Sequence, residues 1–122
     1  MLKPPRLYLK VRVDQLELRD PVDGKDTVVH AGRPFSTARL LVGTFAPFEQ
    51  AVKQSLAPHR QGWLAMSPVV IVQPLARNEG GLSEIERRTL QEGVLGAGAS
   101  QAWVHEGALL SDAEVLAYTP SA

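Results

Sequence analysis

The residues with chemistry to offer in this chain are three histidines, His30, His59 and His105, and a scatter of carboxylates. The histidines lie far apart, and none has a partner at metal-ligand spacing, so no metal site is expected. His105-Glu106 holds the most interest. It ends an apolar stretch that reads as a parallel strand, and α/β proteins place ligand sites at the carboxyl ends of such strands. The more frequent state of a histidine there is a surface residue hydrogen-bonded to its own strand end. Arg77, Asn78, Glu79, Gly80 and Gly81 fill a second loop after a strand, and Gly80-Gly81 before a helix would present amides to an anion. That loop is no phosphate cradle of known pattern. Neither G-x-x-x-x-G-K-[ST] nor G-x-G-x-x-G follows a strand, and no G-x-S-x-G elbow exists. Gly96-Ala97-Gly98 follows a helix and reads as its C-terminal stop. Glu84, Glu86 and Glu92 read as a solvated helix face, with Glu84 and Arg88 a weak i, i+4 pair. Trp63 and Trp103 offer stacking platforms, although two tryptophans in a neutral domain more often mark the edge of a core.

These groups need a scaffold, and composition bounds it. The 122 residues, 44% hydrophobic, fit one domain spanning 1–122. Thirteen basic and thirteen acidic residues cancel, which argues against nucleic acid or anionic lipid held by bulk charge. The absence of cysteine removes disulfide scaffolds, cysteine-ligated metal and thiol catalysis. No apolar run approaches the ~20 residues of a membrane span. The basic start, Met1 to Arg6, contains Pro4-Pro5 and leads into no h-region, so a cytoplasmic protein without stable membrane insertion is expected.

Leu7, Leu9, Val11 and Val13 alternate with Tyr8, Lys10, Arg12 and Asp14, as in a half-buried strand. The apolar phase then slips to Leu16 and Leu18, which predicts a tight turn or bulge at Asp14-Gln15. Asp20 to Asp26 is dense in turn formers, with Asp23-Gly24 at the tip, and Thr27–His30 reads as the returning strand. Residues 31–42 form a connection with a short strand expected at Arg39–Val42. A helix fits Phe45–Leu56, with Phe45, Phe48, Val52 and Leu56 on one stripe, Thr44 as cap and Pro58 and Gly62 as stops. Val69–Val72 is a continuous apolar run, as in a strand buried on both faces, and is expected at the centre of the sheet. A loop from Gln73 to Leu82 leads to a capping box at Ser83–Glu86, and the following helix turns Ile85, Leu90 and Val94 inward. Gln101–His105 forms a strand, and Ser111–Glu114 repeats the capping box before a last short helix. The order predicts an α/β fold: a mixed five-stranded sheet, a leading antiparallel β-meander plus a parallel βαβ unit, with about three helices.

Along 67–107, SPVVIVQPLARNEGGLSEIERRTLQEGVLGAGASQAWVHEG, the chain resembles the MreB family of bacterial actin homologues, the rod shape-determining proteins. Glu86-Arg87-Arg88, Gly96-Ala97-Gly98-Ala99 and the strand to His105-Glu106 match the family pattern in order and spacing, and Leu41–Leu56 resembles the preceding family segment. The resemblance implies a ribonuclease H-like, actin-like subdomain. It also sets Glu86 where filament-forming relatives hold a carboxylate near the attacking water. The chain departs from the family at the phosphate sites. Its first hairpin reads Val13-Asp14-Gln15-Leu16, without the glycine of the Asp-x-Gly-Thr turn, and the loop between Pro74 and Glu86 is longer. The second phosphate loop and the adenine-binding half would lie beyond residue 122. ATP binding is therefore not expected, and the role of Glu86 in attack is not carried over. Asp14 alone is too few carboxylates for the two-metal chemistry of ribonuclease H enzymes.

The expected function is a non-catalytic interaction domain with a protein partner or self-association through the edge or outer face of the meander, no cofactor, and a setting near cell-shape or envelope machinery. The alternative is a small-ligand binder or enzyme with a site between the loops 73–81 and 105–110, where Arg77, Asn78, Glu86, His105 and Glu106 are the candidate ligand-binding residues.

Overall fold

The computed structural model describes residues 3–60 and 66–120; Gly62 and Trp63 lie outside them. Three strands open the chain: β1 (Arg6–Arg12), β2 (Gln15–Arg19) and β3 (Asp26–His30). The first turn is the two residues Val13-Asp14, one position earlier than the phase slip suggested, and it closes on the pair Arg12 and Gln15. Asp14 takes the left-handed conformation, φ +53°, without glycine. Aspartate tolerates this region when its short side chain finds local partners. Here Oδ1 accepts the amides of Phe35 and Ser36, each at 2.8 Å, and thereby pins the connection after β3 to the hairpin. The second turn places Gly24 at φ +72° as its composition required.

After α1 (Phe45–Leu56) and a 3-10 turn (Ala57–Arg60) come β4 (Val69–Pro74), α2 (Glu84–Gly96), β5 (Gln101–Val104) and α3 (Asp112–Leu116). The sheet is mixed, in the order β3-β2-β1-β4-β5, with β1 antiparallel to β2 and parallel to β4. The centre is therefore β1 and not the continuous apolar run, which lies second from the edge as β4. A sheet whose chain starts in the middle grows outward on both sides: the meander one way, the crossover unit the other.

The two faces differ. Leu7, Leu9, Leu16, Leu18, Val70 and Val72 point to α1 and α2 and form the main core, where Phe35 and Phe48 meet edge to face with centroids 5.3 Å apart. On the opposite face Tyr8, Ile71 and Val115 of α3 make a smaller cluster with Trp103, Leu110 and Tyr118 around it. Tyr8 is thus 1% exposed, and β1 is buried on its second face at this residue, where alternation suggested exposure, while Arg6, Lys10 and Arg12 on the same face stay partly exposed. Other expectations change too. Residues 39–42 form no strand, because their backbone is held by a turn in which the Thr37 amide donates to the Leu40 carbonyl at 2.8 Å. Thr44 stands at the N-cap of α1 but its hydroxyl makes no capping bond. Phe45 is 42% exposed, at the rim of the stripe. Gln73 and Pro74 extend β4 rather than begin a loop. Ser83 and Ser111 each form the expected capping box.

Candidate functional site

The carboxyl ends of β4 and β5 lie side by side, so the loops that follow them do meet. What joins them is a buried relay. The Tyr8 hydroxyl donates to Gln73 Oε1, Gln73 Nε2 donates to the Gly107 carbonyl at 2.8 Å, and the Leu110 amide donates back to the Tyr8 hydroxyl at 3.3 Å. Burial pushes the Tyr8 phenol above its ordinary pKa, with the Leu110 amide opposing. Every polar atom of the relay is an acceptor or donor already used, as buried groups require.

The candidate residues separate into three places. His105 and Glu106 line a polar cleft of about 550 Å³ with Arg87, Gln91, Trp103 and Tyr118. His105 Nε2 lies 2.9 Å from the Ala108 carbonyl, its Nδ1 lies 3.4 Å from the Tyr118 hydroxyl, and its ring meets that of Tyr118 edge-on. The Tyr118 ring stacks on Trp103, and the Arg6 guanidinium sits 5.1 Å from the Trp103 ring centroid. Arg77 and Asn78 do not reach this cleft. Arg77 Nε donates to the Ala38 carbonyl at 3.1 Å, and the Asn78 amide caps the Pro74 carbonyl at 3.2 Å. Glu86 closes the capping box with Ser83, and the helix-face ion pair forms between Arg88 and Glu92 instead of Glu84 and Arg88.

The anion cradle expected before α2 is filled from within. Glu106 Oε1 accepts the Leu82 amide at 2.9 Å, and Oε2 pairs with Arg87. The Gly81 amide donates to the Asn78 carbonyl, and the Ser83 amide to Glu86. A carboxylate of the chain occupies the position that a ligand's charge would take at the start of this helix. Among the described residues no group of three or more acidic or imidazole side chains is gathered for a metal, and no helix is long and apolar enough to cross a membrane.

A second depression lies beside α2. Leu40, Leu41, Val42, Leu82, Ile85 and Leu90 line an apolar groove of about 220 Å³, with Glu86 at its rim. Ile85, expected to point into the core, is 78% exposed, and Leu40 is 41% exposed. The signal that would have found the relay was Gln73, a polar residue inside the run Val69–Pro74. For the groove there was none, since it depends on how residues 37–42 lie against α2.

No family model matches the chain. Over 122 aligned positions it is 34% identical to a protein of Escherichia coli (strain K12) described as uncharacterized protein YjaA, covering 91% of this chain and 94% of that protein. Agreement spread over nearly the full length of both chains leaves neither a shared fragment nor a short motif as its source, and the chain belongs to the YjaA family.

Proposed function

We propose that the protein is a non-catalytic interaction domain, a subdomain of ribonuclease H-like, actin-like type, that binds the apolar side chains of a protein partner in the groove between residues 40–42 and α2. The observation that carries this reading is Ile85, a large side chain left 78% exposed on a well-formed helix beside the exposed Leu40. Apolar residues rimmed by charge in this manner mark contact surfaces more often than folding defects. The side chains of Arg77, Asn78, His105 and Glu106 in the carboxyl-end loops, by contrast, are already engaged within the chain. The leading meander with a parallel βαβ unit on its other side is the arrangement that the resemblance to MreB-type proteins implies, and supports the subdomain reading. From that resemblance the expected partner is a component of cytoplasmic cell-shape or envelope machinery.

A photo-crosslinking residue at position 85, expressed in the native host, tests the reading. The expected result is a discrete adduct with one protein, absent when the crosslinker stands at the exposed Leu109 and lost with Leu40→Asp. Equal crosslinking from both positions overturns the groove as a docking surface.

A second reading, a small polar ligand in the cleft of Arg87, His105 and Tyr118, is favoured by one observation: Trp103 is pre-stacked at its wall. Saturable quenching of Trp103 fluorescence by a small aromatic anion, lost with His105→Ala, is what that reading requires.

A further inference from the structure

The hydrogen-bond parity of the meander leads to a second surface, independent of the groove. The two-residue turn makes Arg12 and Gln15 the closing pair of the first hairpin, so Gln15, Glu17 and Arg19 bond to β1, and Leu16 and Leu18 bond to β3. Two bonds continue this alternation beyond the strand ends: the Ala31 amide to the Asp14 carbonyl, 3.0 Å, and the Asp20 amide to the Lys25 carbonyl, 3.0 Å. In β3, Thr27 and Val29 therefore bond inward. The amides and carbonyls of Asp26, Val28 and His30 point out from the edge of the sheet.

We infer that β3 pairs with β3 of a second copy of this chain, antiparallel, across a two-fold axis at Val28. In that register Val28 lies opposite the partner's Val28, and Asp26 lies opposite the partner's His30. Every outward amide then meets an outward carbonyl, two bonds for each of the three facing pairs. The side chains agree with the backbone. Asp26, Val28 and His30 share one face of the sheet, Val28 is 50% exposed, and both flanking residues are exposed. Pairing sets the acidic Asp26 against the imidazole of the partner's His30 and buries two valines between two such contacts. A parallel arrangement would set Asp26 near the partner's Asp26, so the charges select direction as well as register. Edges that avoid such pairing carry proline, a bulge or inward lysine. β3 has no proline, and its register with β2 is unbroken. Arg19 pairs with Asp26 from the other side at 3.0 Å, which holds the carboxylate in place. A five-residue ladder buries less than the ~1,200 Å² of standard interfaces, so the dimer is weak and concentration-dependent.

Sedimentation equilibrium from low micromolar to millimolar protein tests this. The expected result is a monomer–dimer equilibrium, with amides of Asp26, Val28 and His30 slowing in hydrogen exchange as concentration rises. Val28→Pro removes an outward amide and no inward bond, so it should abolish the dimer while the circular dichroism stays native. His30→Asp, on an exposed side chain, should weaken the dimer at least about tenfold, roughly the size of a close charge pair lost. The exchange Asp26→His with His30→Asp should restore it. A monomer at every concentration overturns the inference, and so does a dimer insensitive to His30→Asp. Neither result touches the crosslinking at Ile85.

Discussion

Asp14 shows how one side chain replaces a glycine. Its carboxylate and its carbonyl bind the chain after β3, and its amide donates to the Ser36 hydroxyl at 3.2 Å. Two substitutions separate conformation from bonding. Asp14→Gly keeps the positive φ but loses two charge-assisted bonds, and should cost about 1–3 kcal/mol in urea unfolding. Asp14→Asn keeps the left-handed tendency and one acceptor and should cost less. If Gly is tolerated better than Asn, the pinning role is wrong. The same scale holds the Tyr8–Gln73 relay. Tyr8→Phe leaves Gln73 Oε1 and the Leu110 amide without their partner, at a cost of about 1–3 kcal/mol. Sequence alone showed Asp14 as a turn residue, because turn chemistry is local. It showed nothing of Phe35 and Ser36 as its partners, 21 and 22 residues on, since only the folded chain brings them near.

At the scale of elements, α1 and α2 pack through two glycines that behave differently. A Cβ at Gly93 would run into the ring of Phe48, which is fully buried and cannot retreat. A Cβ at Gly96 would meet only the carboxylate end of Glu49, which can swing aside. Gly93→Ala should therefore destabilise by about 1–3 kcal/mol, as overpacking does. Gly96→Ala should be neutral or stabilising by up to about 1 kcal/mol, through helix propensity. Thermal melts of the two variants check this, and a Gly93→Ala as stable as the wild type would mean that the helices are further apart. The helices were legible because their caps and stripes are local; α1 matches its expected bounds at both ends. Ile85 was misread for the same reason. In the first turn, helical phase points a residue toward a core only if another element covers that turn, and residues 37–42 lie beside it without closing over it.

For the whole molecule, the element types were legible apart from the strand expected at Arg39–Val42, but the sheet order and the use of its second face were not. α3, five residues long, seals Tyr8 and Ile71 with a single buried side chain, Val115. Its tether is electrostatic. Arg19 Nε donates to Asp112 Oδ1 at 2.7 Å and holds that carboxyl below its ordinary pKa. The Arg12 guanidinium does the same for Glu17, and the Ser111 amide and hydroxyl for Glu114. A lowered carboxyl pKa in the folded chain stabilises it fully above the ordinary value, and that stability is lost as pH falls through the lowered one. Urea midpoints should thus hold level down to about pH 5 and fall below about pH 4, less steeply in Asp112→Asn. A profile identical in that variant would detach α3 from the acid response. Ile71→Ala should cost about 2–5 kcal/mol although β4 is not central, because the residue is fully enclosed between β1, β5 and α3.

Glu106 carries a consequence for everything dissolved around the protein. Its carboxylate belongs to the same chain as the Leu82 amide and Arg87, so an external anion at the start of α2 faces a tethered competitor. Tethering within one folded chain amounts to an effective concentration on the order of millimolar or more. A phosphate would have to win against an occupant that never diffuses away. Ambient anions should leave the melting temperature where chloride leaves it, and the helix start stays closed to phosphate and other small anions in solution.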